Sequence, residues 1–202
     1  MKKLIAFLGF FLLFSLFAED RRINVGEKVI LLHDDFTWEY VEEVDEGFEK
    51  IILRKDSLLK PNFFDQKKRY QISLDPEEWH SFPVQNPEAA FQFVNEDETG
   101  FCVVIYDALE VPLDQLKSIM ILNATNIDPE ARIIREEACE VNGVQGELVE
   151  YIATQANIPF TFLSFINSSE SGSLQYTFYT LSSYFERVKP AFLEAIAGME
   201  ML

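Results

Sequence analysis

Histidine and cysteine are nearly missing from this chain, with two of each in 202 residues. Metal and nucleophile chemistry therefore has few places to sit. Cys102 and Cys139 are separated by 36 residues, not by the two of a redox-active Cys-x-x-Cys pair. The chain has no Gly-x-Ser-x-Gly elbow to present a nucleophilic serine, and no glycine-rich loop to cradle a phosphate. Basic residues are also short, at 17 Lys+Arg against 34 Asp+Glu, for a net charge of −17. Such a surface repels phosphate backbones and anionic head groups, which argues against a nucleic-acid partner. No solenoid-length repeat and no low-complexity segment occurs. What remains is ordinary globular usage, 48% apolar and 25% charged, and enough chain for one domain plus a small appendage.

The first eighteen residues read as a signal peptide. Lys2 and Lys3 form a basic start, Leu4 to Phe17 an apolar run, and Ala18 a small residue before the charged Glu19-Asp20-Arg21-Arg22. The run is shorter than the roughly 20 residues a spanning helix needs. A periplasmic or secreted protein cut near Ala18, with no membrane span left after cleavage, is expected. Leu16 is larger than the usual residue three before a cut, so an uncleaved anchor is the minority reading.

Residues 19–60 read as a β-hairpin appendage. KVILL (28–32) and TWEYVEEV (37–44) are strands around the turn His33-Asp34-Asp35-Phe36, and FEKIIL (48–53) extends them into a meander. Residues 56–68, with Pro61 and Asn62, read as a linker. The main domain, 69–202, opens on the strand YQISL (70–74). Asp75-Pro76 then starts about one helical turn that folds Trp79 and Phe82 onto the core. AAFQFV (89–94) and FCVVIY (101–106) flank a polar loop. Pro112 to Ala124 is a helix with Leu113, Leu116, Ile119, Met120 and Leu122 as its apolar stripe. Asn142-Gly143 turns one hairpin and Asn167–Gly172 another. Ile158, Phe160, Phe162 and Ile166 share one strand face, and Leu174, Tyr176 and Phe178 point inward from the next strand. Ser183 to Glu186 is a capping box. The last helix carries Phe185, Val188, Phe192 and Ile196 inward, with Pro190 expected to kink or split it. This order gives an α+β fold, an antiparallel β-sheet flanked by helices. A β-sandwich with a helical cap is the alternative.

Several of these segments resemble the PsbP-like family of exported proteins, which includes DcrB-like members. They are Asp75-Pro76 with Trp79, FCVVIYD, ACEVNGVQGELVEY (138–151) and LQYTFYTLSSYFERV (174–188), the last followed by an apolar helix. The resemblance covers about two thirds of the chain, and its motifs are turn glycines and core aromatics. It implies an α/β/α sandwich and a small non-enzymatic domain that docks on another envelope or secreted protein. It supplies no catalytic set. VILLHDDFTWEYV (29–41) is separately similar to a short hairpin found in many exported bacterial proteins.

The remaining clusters have plain structural readings. His33-Asp34-Asp35 fits a turn better than a metal site. Glu77 and Glu78, beside His80, diverge by about 100° on a helix and fit a solvated start. No catalytic, cofactor-binding or metal-ligating residue is assigned, and no cofactor is expected. A metal-dependent hydrolase using His33 or His80 is the least favoured function, and a carrier of a small apolar ligand the closer alternative. The aromatic residues fill a core or line a pocket between the sheet and the last helix. The two sequons, at Asn123 and Asn167, are chance matches in a chain whose leader looks bacterial. A disulfide between Cys102 and Cys139 needs adjacent strands. A helical crossover more often carries the chain past its neighbour, so two buried free thiols are expected.

Overall fold

The computed structural model describes residues 21–25, 28–32, 38–41, 50–84 and 86–202. The leader with its cut near Ala18 and the turn His33-Asp34-Asp35 lie outside them. The chain divides into two compact units, Met1–Gly47 and Phe48–Leu202. The first is an antiparallel sheet of β1 (Arg21–Val25), β2 (Lys28–Leu32) and β3 (Trp38–Val41), in that order.

The second unit contains all the remaining elements. These are β4 (Ile51–Leu53), β5 (Phe63–Phe64), β6 (Tyr70–Ile72), β7 (Trp79–Ser81), β8 (Ala89–Asn95), β9 (Phe101–Asp107) and α1 (Leu113–Thr125). They continue with β10 (Arg132–Val141), β11 (Val144–Gln155), β12 (Ile158–Ser169), β13 (Gly172–Leu181), α2 (Phe185–Ala197) and β14 (Met199–Met201). Eight strands form the main sheet in the order β4-β10-β11-β12-β13-β9-β8-β7. β14, β6 and β5 form a second, short sheet.

The central meander follows from its turns. Asn142 (φ 49°) and Gly143 (φ 89°) both take positive φ, so β10 and β11 pair directly from Val141↔Val144. Ala156 and Asn157 do the same between β11 and β12. Between β9 and β10 the chain crosses three strands, and α1 is that crossover. Ser173 pins its entry: the hydroxyl donates to the Leu109 carbonyl (2.7 Å) and accepts from the Val111 N–H (2.8 Å).

Strand alternation separates two faces. One carries Cys102, Val104, Leu163, Phe165, Tyr176 and Phe178 and is sealed. α2 covers it with Phe185, Val188, Phe192 and Ile196, the stripe expected from the sequence, and the short sheet adds Tyr70, Ile72 and Met199. Trp79 joins this core, its ring 5.3 Å from Phe178. The other face carries Val149, Tyr151 and Ile166 and meets α1 through Leu116 and Met120.

Several expectations change. The sheet is mixed, not antiparallel throughout, because β4 pairs parallel with β10 at the edge. Ile51–Leu53 therefore belongs to the main sheet, not to an appendage ending at residue 60, and the second unit begins before residue 69. YQISL supplies β6 of the short sheet. The single turn expected after Asp75 does form, with Asp75 Oδ1 accepting from the Glu77 N–H and the Asp75 carbonyl from the Trp79 N–H, and it runs directly into β7. On α1, Ile119 and Leu122 face solvent, because Leu113, Leu116, Met120, Ile121 and Ala124 are the residues that pack toward the sheet. α2 starts at an N-cap Tyr184 with no side-chain cap, and runs unbroken through Pro190. The second sheet is three short strands, so a two-sheet sandwich does not form.

Candidate ligand-binding site

α1 lies over β10, β11 and β12 and leaves the rest of its face of the sheet open. The register places four aromatic residues side by side there, one per strand: Tyr151↔Phe162, Phe162↔Tyr179 and Tyr179↔Phe101. Their rings stack across β11, β12, β13 and β9 with centroids 4.5, 5.5 and 5.4 Å apart, the first pair within 7° of parallel. Tyr151 is buried, while Phe162, Tyr179 and Phe101 are half-buried. Cross-strand aromatic pairs stabilise a sheet by up to about 1 kcal/mol each. Three of these rings also keep surface in contact with solvent.

A polar row runs beside the rings. Along the same face Ser164 pairs with Thr177, Thr177 with Val103 and Val103 with Gln92. The Ser164 and Thr177 hydroxyls are 2.8 Å apart and buried. Burial pushes the Tyr151 phenol pKa up, opposed by its hydrogen bond with Ser164. Burial raises that of Tyr179 too.

A cavity of about 430 Å³ sits over these rows, within the size range of small-molecule sites. Its floor includes Tyr151, Phe162 and Tyr179, and Met120, Ala124 and Ile127 line it from α1 and the residues just beyond. Glu88, which is exposed, is the one charged residue among its described lining residues. Two other cavities are charged. One, beside α2, mixes Leu53, Leu74, Trp79 and Leu193 with Arg54, Asp56, Asp75, Glu78 and Glu194. The other includes Lys117, ion-paired to Glu136 (2.7 Å) and Glu147 (2.9 Å). The cavity beside α1 is suited to holding a largely apolar molecule.

No protein-family model matches the chain, and no curated protein matches it. Its fold matches solved structures. Cyanobacterial PsbP (CyanoP) from Synechocystis sp. PCC 6803 is similar with a TM-score of 0.55 and 15% identity over 69% of this chain and 91% of that one. LpqN, involved in cell envelope biogenesis of Mycobacterium tuberculosis, is similar with a TM-score of 0.50 and 14% identity over 70% and 89%. The fold is PsbP-like.

Within the PsbP-like domain, the residues singled out by sequence do not converge. His80 is exposed on β7 with Nε2 2.5 Å from the Glu96 carboxylate, while Glu77 and Glu78 are exposed on the preceding turn. Among the described residues no group of three or more His, Cys, Asp or Glu is placed to hold a metal ion. Cys102 and Cys139 are free and buried, on β9 and β10 with three strands between them. Burial raises the Cys139 thiol pKa to about 11 and holds that of Cys102 well above its ordinary value. Asn167 is buried and donates to the Gln145 carbonyl, whereas Asn123 lines the cavity.

Between the sheet and α2 the aromatic residues fill a core, with a cavity at its margin lined by Leu53, Leu74, Trp79 and Leu193, and the cavity over the ring row lies on the opposite face. Phe101, Tyr151 and Tyr179 were not singled out by sequence. The short turn Glu170-Ser171 was the available signal: pairing outward from Ser169↔Gly172 sets Phe162 opposite Tyr179 and Leu163 opposite Phe178.

Proposed function

We propose that this protein is an exported, non-catalytic accessory domain of the cell envelope that carries a small ligand in the cavity beside α1. The observation that carries this reading is the row of four stacked rings left partly open on a sheet whose other face is sealed. A ring surface kept in water is unfavourable by about 25 cal/mol per Å² of apolar area, so a ligand that covers it gains that much. The basic and apolar leader supports export, with cleavage near Ala18. The likeness to CyanoP and to LpqN, an envelope-biogenesis protein, supports an accessory role.

Native mass spectrometry of the full chain, purified mildly from a bacterial envelope, tests the reading. It should find one adduct of small-molecule mass per chain. The adduct should be lost in Phe162→Asp, with circular dichroism unchanged. An adduct-free wild-type protein contradicts the reading.

A second reading, docking on another envelope or secreted protein, draws on the outer face of α1. Ile119 (44% exposed) and Leu122 (60%) face solvent there. In-envelope cross-linking from that face that captures no protein counts against it.

A further inference from the structure

The geometry points to one ligand class for the cavity beside α1: an uncharged amphiphile, whose apolar body lies over the ring row and whose hydrogen-bonding head lies over Thr177 and Gln175. This rests on the small-ligand reading above and names what that site selects.

The first ground is charge. In a chain with 25% charged residues and a net charge of −17, Glu88 is the one ionisable acid or base among the cavity's described lining residues apart from the two phenols. The phenols of Tyr151 and Tyr179 are held neutral, with burial as the main cause. An ionic head entering this site would leave water without an opposite charge to meet it, except an ammonium that reached Glu88. A neutral head meets amides and hydroxyls instead, from Asn86, Asn123, Gln155, Gln175 and Thr177.

The second ground is the order of the rows along the strands. Within β13, Tyr179, Thr177 and Gln175 follow one another on the same face. Within β12, Phe162 is followed by Ser164. Along β13 the floor thus passes from the Tyr179 ring to the polar Thr177 and Gln175, with Ile105 and Ile166 on either side of Gln175. Thr177 and Ser164 together hold two hydroxyl hydrogens and use one in the bond between them. Ser164 is fully buried and also bonds with Tyr151, so the Thr177 oxygen, which lines the cavity, is the one left with a lone pair to accept from a neutral donor. A carboxamide or alcohol satisfies such a site; a fully apolar end placed there leaves polar groups unpaired. The ring row has the opposite preference.

Three probes of one shape separate the cases: 4-butylbenzamide (neutral), 4-butylbenzoate (anionic) and 4-butylbenzylamine (cationic). Each is titrated into the full-length protein at about 0.15 M salt, where the protein's long-range field is screened beyond roughly 8 Å. Amide nitrogen–proton spectra report both the site and the affinity. The amide should shift resonances of Phe162, Thr177 and Tyr179 and bind at least tenfold more tightly than either ion. The ammonium is the demanding comparison, because the net charge of the protein favours it. Thr177→Val and Gln175→Leu should each weaken the amide about fivefold and leave 4-butyltoluene within twofold. Gln175 is half-buried, so its variant remains readable if Thr177→Val fails to fold. Either ion binding as tightly as the amide overturns the inference and leaves the small-ligand reading standing. Amide affinity unchanged in every variant that folds overturns the placement of the head. No shift at cavity residues with any probe overturns the inference and the small-ligand reading together.

Discussion

Asp65 shows how much one side chain organises in a loop of mixed charge. It is 6% exposed, and its carboxylate accepts from Arg69 Nε and Nη2 at 2.7 Å each and from the backbone N–H of Lys67. Arg69 in turn lies 3.8 Å over the Tyr106 ring. The Arg69 side-chain bonds, chiefly, lower the Asp65 pKa from 3.8 to about 2. A depressed pKa means the native state binds this proton less readily than the unfolded chain. The stabilisation is therefore complete above about pH 5 and is lost as pH falls from about 4 to about 2. Urea unfolding of Asp65→Asn should show a loss of about 1–2 kcal/mol at pH 7, and the gap to wild type should close below about pH 2. A gap independent of pH would contradict the assignment. The cysteines give a second residue-scale test. With raised pKa values and full burial, neither should react with Ellman's reagent in the native protein at pH 8, and both should react in denaturant without reductant.

At the scale of elements, the two faces of the main sheet make opposite demands. Phe192 is fully buried on α2, 5.1 Å from the Phe178 ring, so Phe192→Ala should cost about 3–5 kcal/mol. Phe162 is half-buried beside a cavity, and Phe162→Ala should cost only about 1–2 kcal/mol because less apolar area leaves water there on folding. Equal costs in denaturant titrations would show that the α1 face is as sealed as the α2 face. This contrast also marks what was legible in the sequence. The stripe of α2 and the Asn142-Gly143 hairpin could be read because local periodicity and turn chemistry decide them, and the non-adjacent cysteines because a helix connects their strands. Which side of the sheet the Phe162 face takes could not be read, because β12 is apolar on both faces and only its pairing with β13 decides it. The stripe of α1 was over-read for a related reason. Apolar residues surround that helix, and the crossover it makes over β10 to β12 decides which of them meet the sheet. β4 was missed as part of the main sheet because a three-residue parallel strand has no local signal, and it is held by pairing with residues almost ninety positions later.

For the whole molecule, the account is an acidic domain with one sealed face and one open one. The sealed face supplies stability through α2, the short sheet and an aromatic core. The open face has few charged groups within a chain of net charge −17, and it presents rings where a closed core would have buried them. The crossover makes this division, since the 13-residue α1 is too short to cover eight strands. The candidate site itself was not legible in the sequence, because it is made by four residues on four strands that meet only through register. The most direct test of the account is a crystal structure of the full chain soaked with 4-butylbenzamide. The account predicts electron density for one molecule in the cavity beside α1, its butyl end over Phe162 and Tyr179 and its amide within hydrogen-bond distance of Thr177 or Gln175. A cavity that holds only ordered water after soaking, or a probe seated elsewhere on the domain, would contradict it.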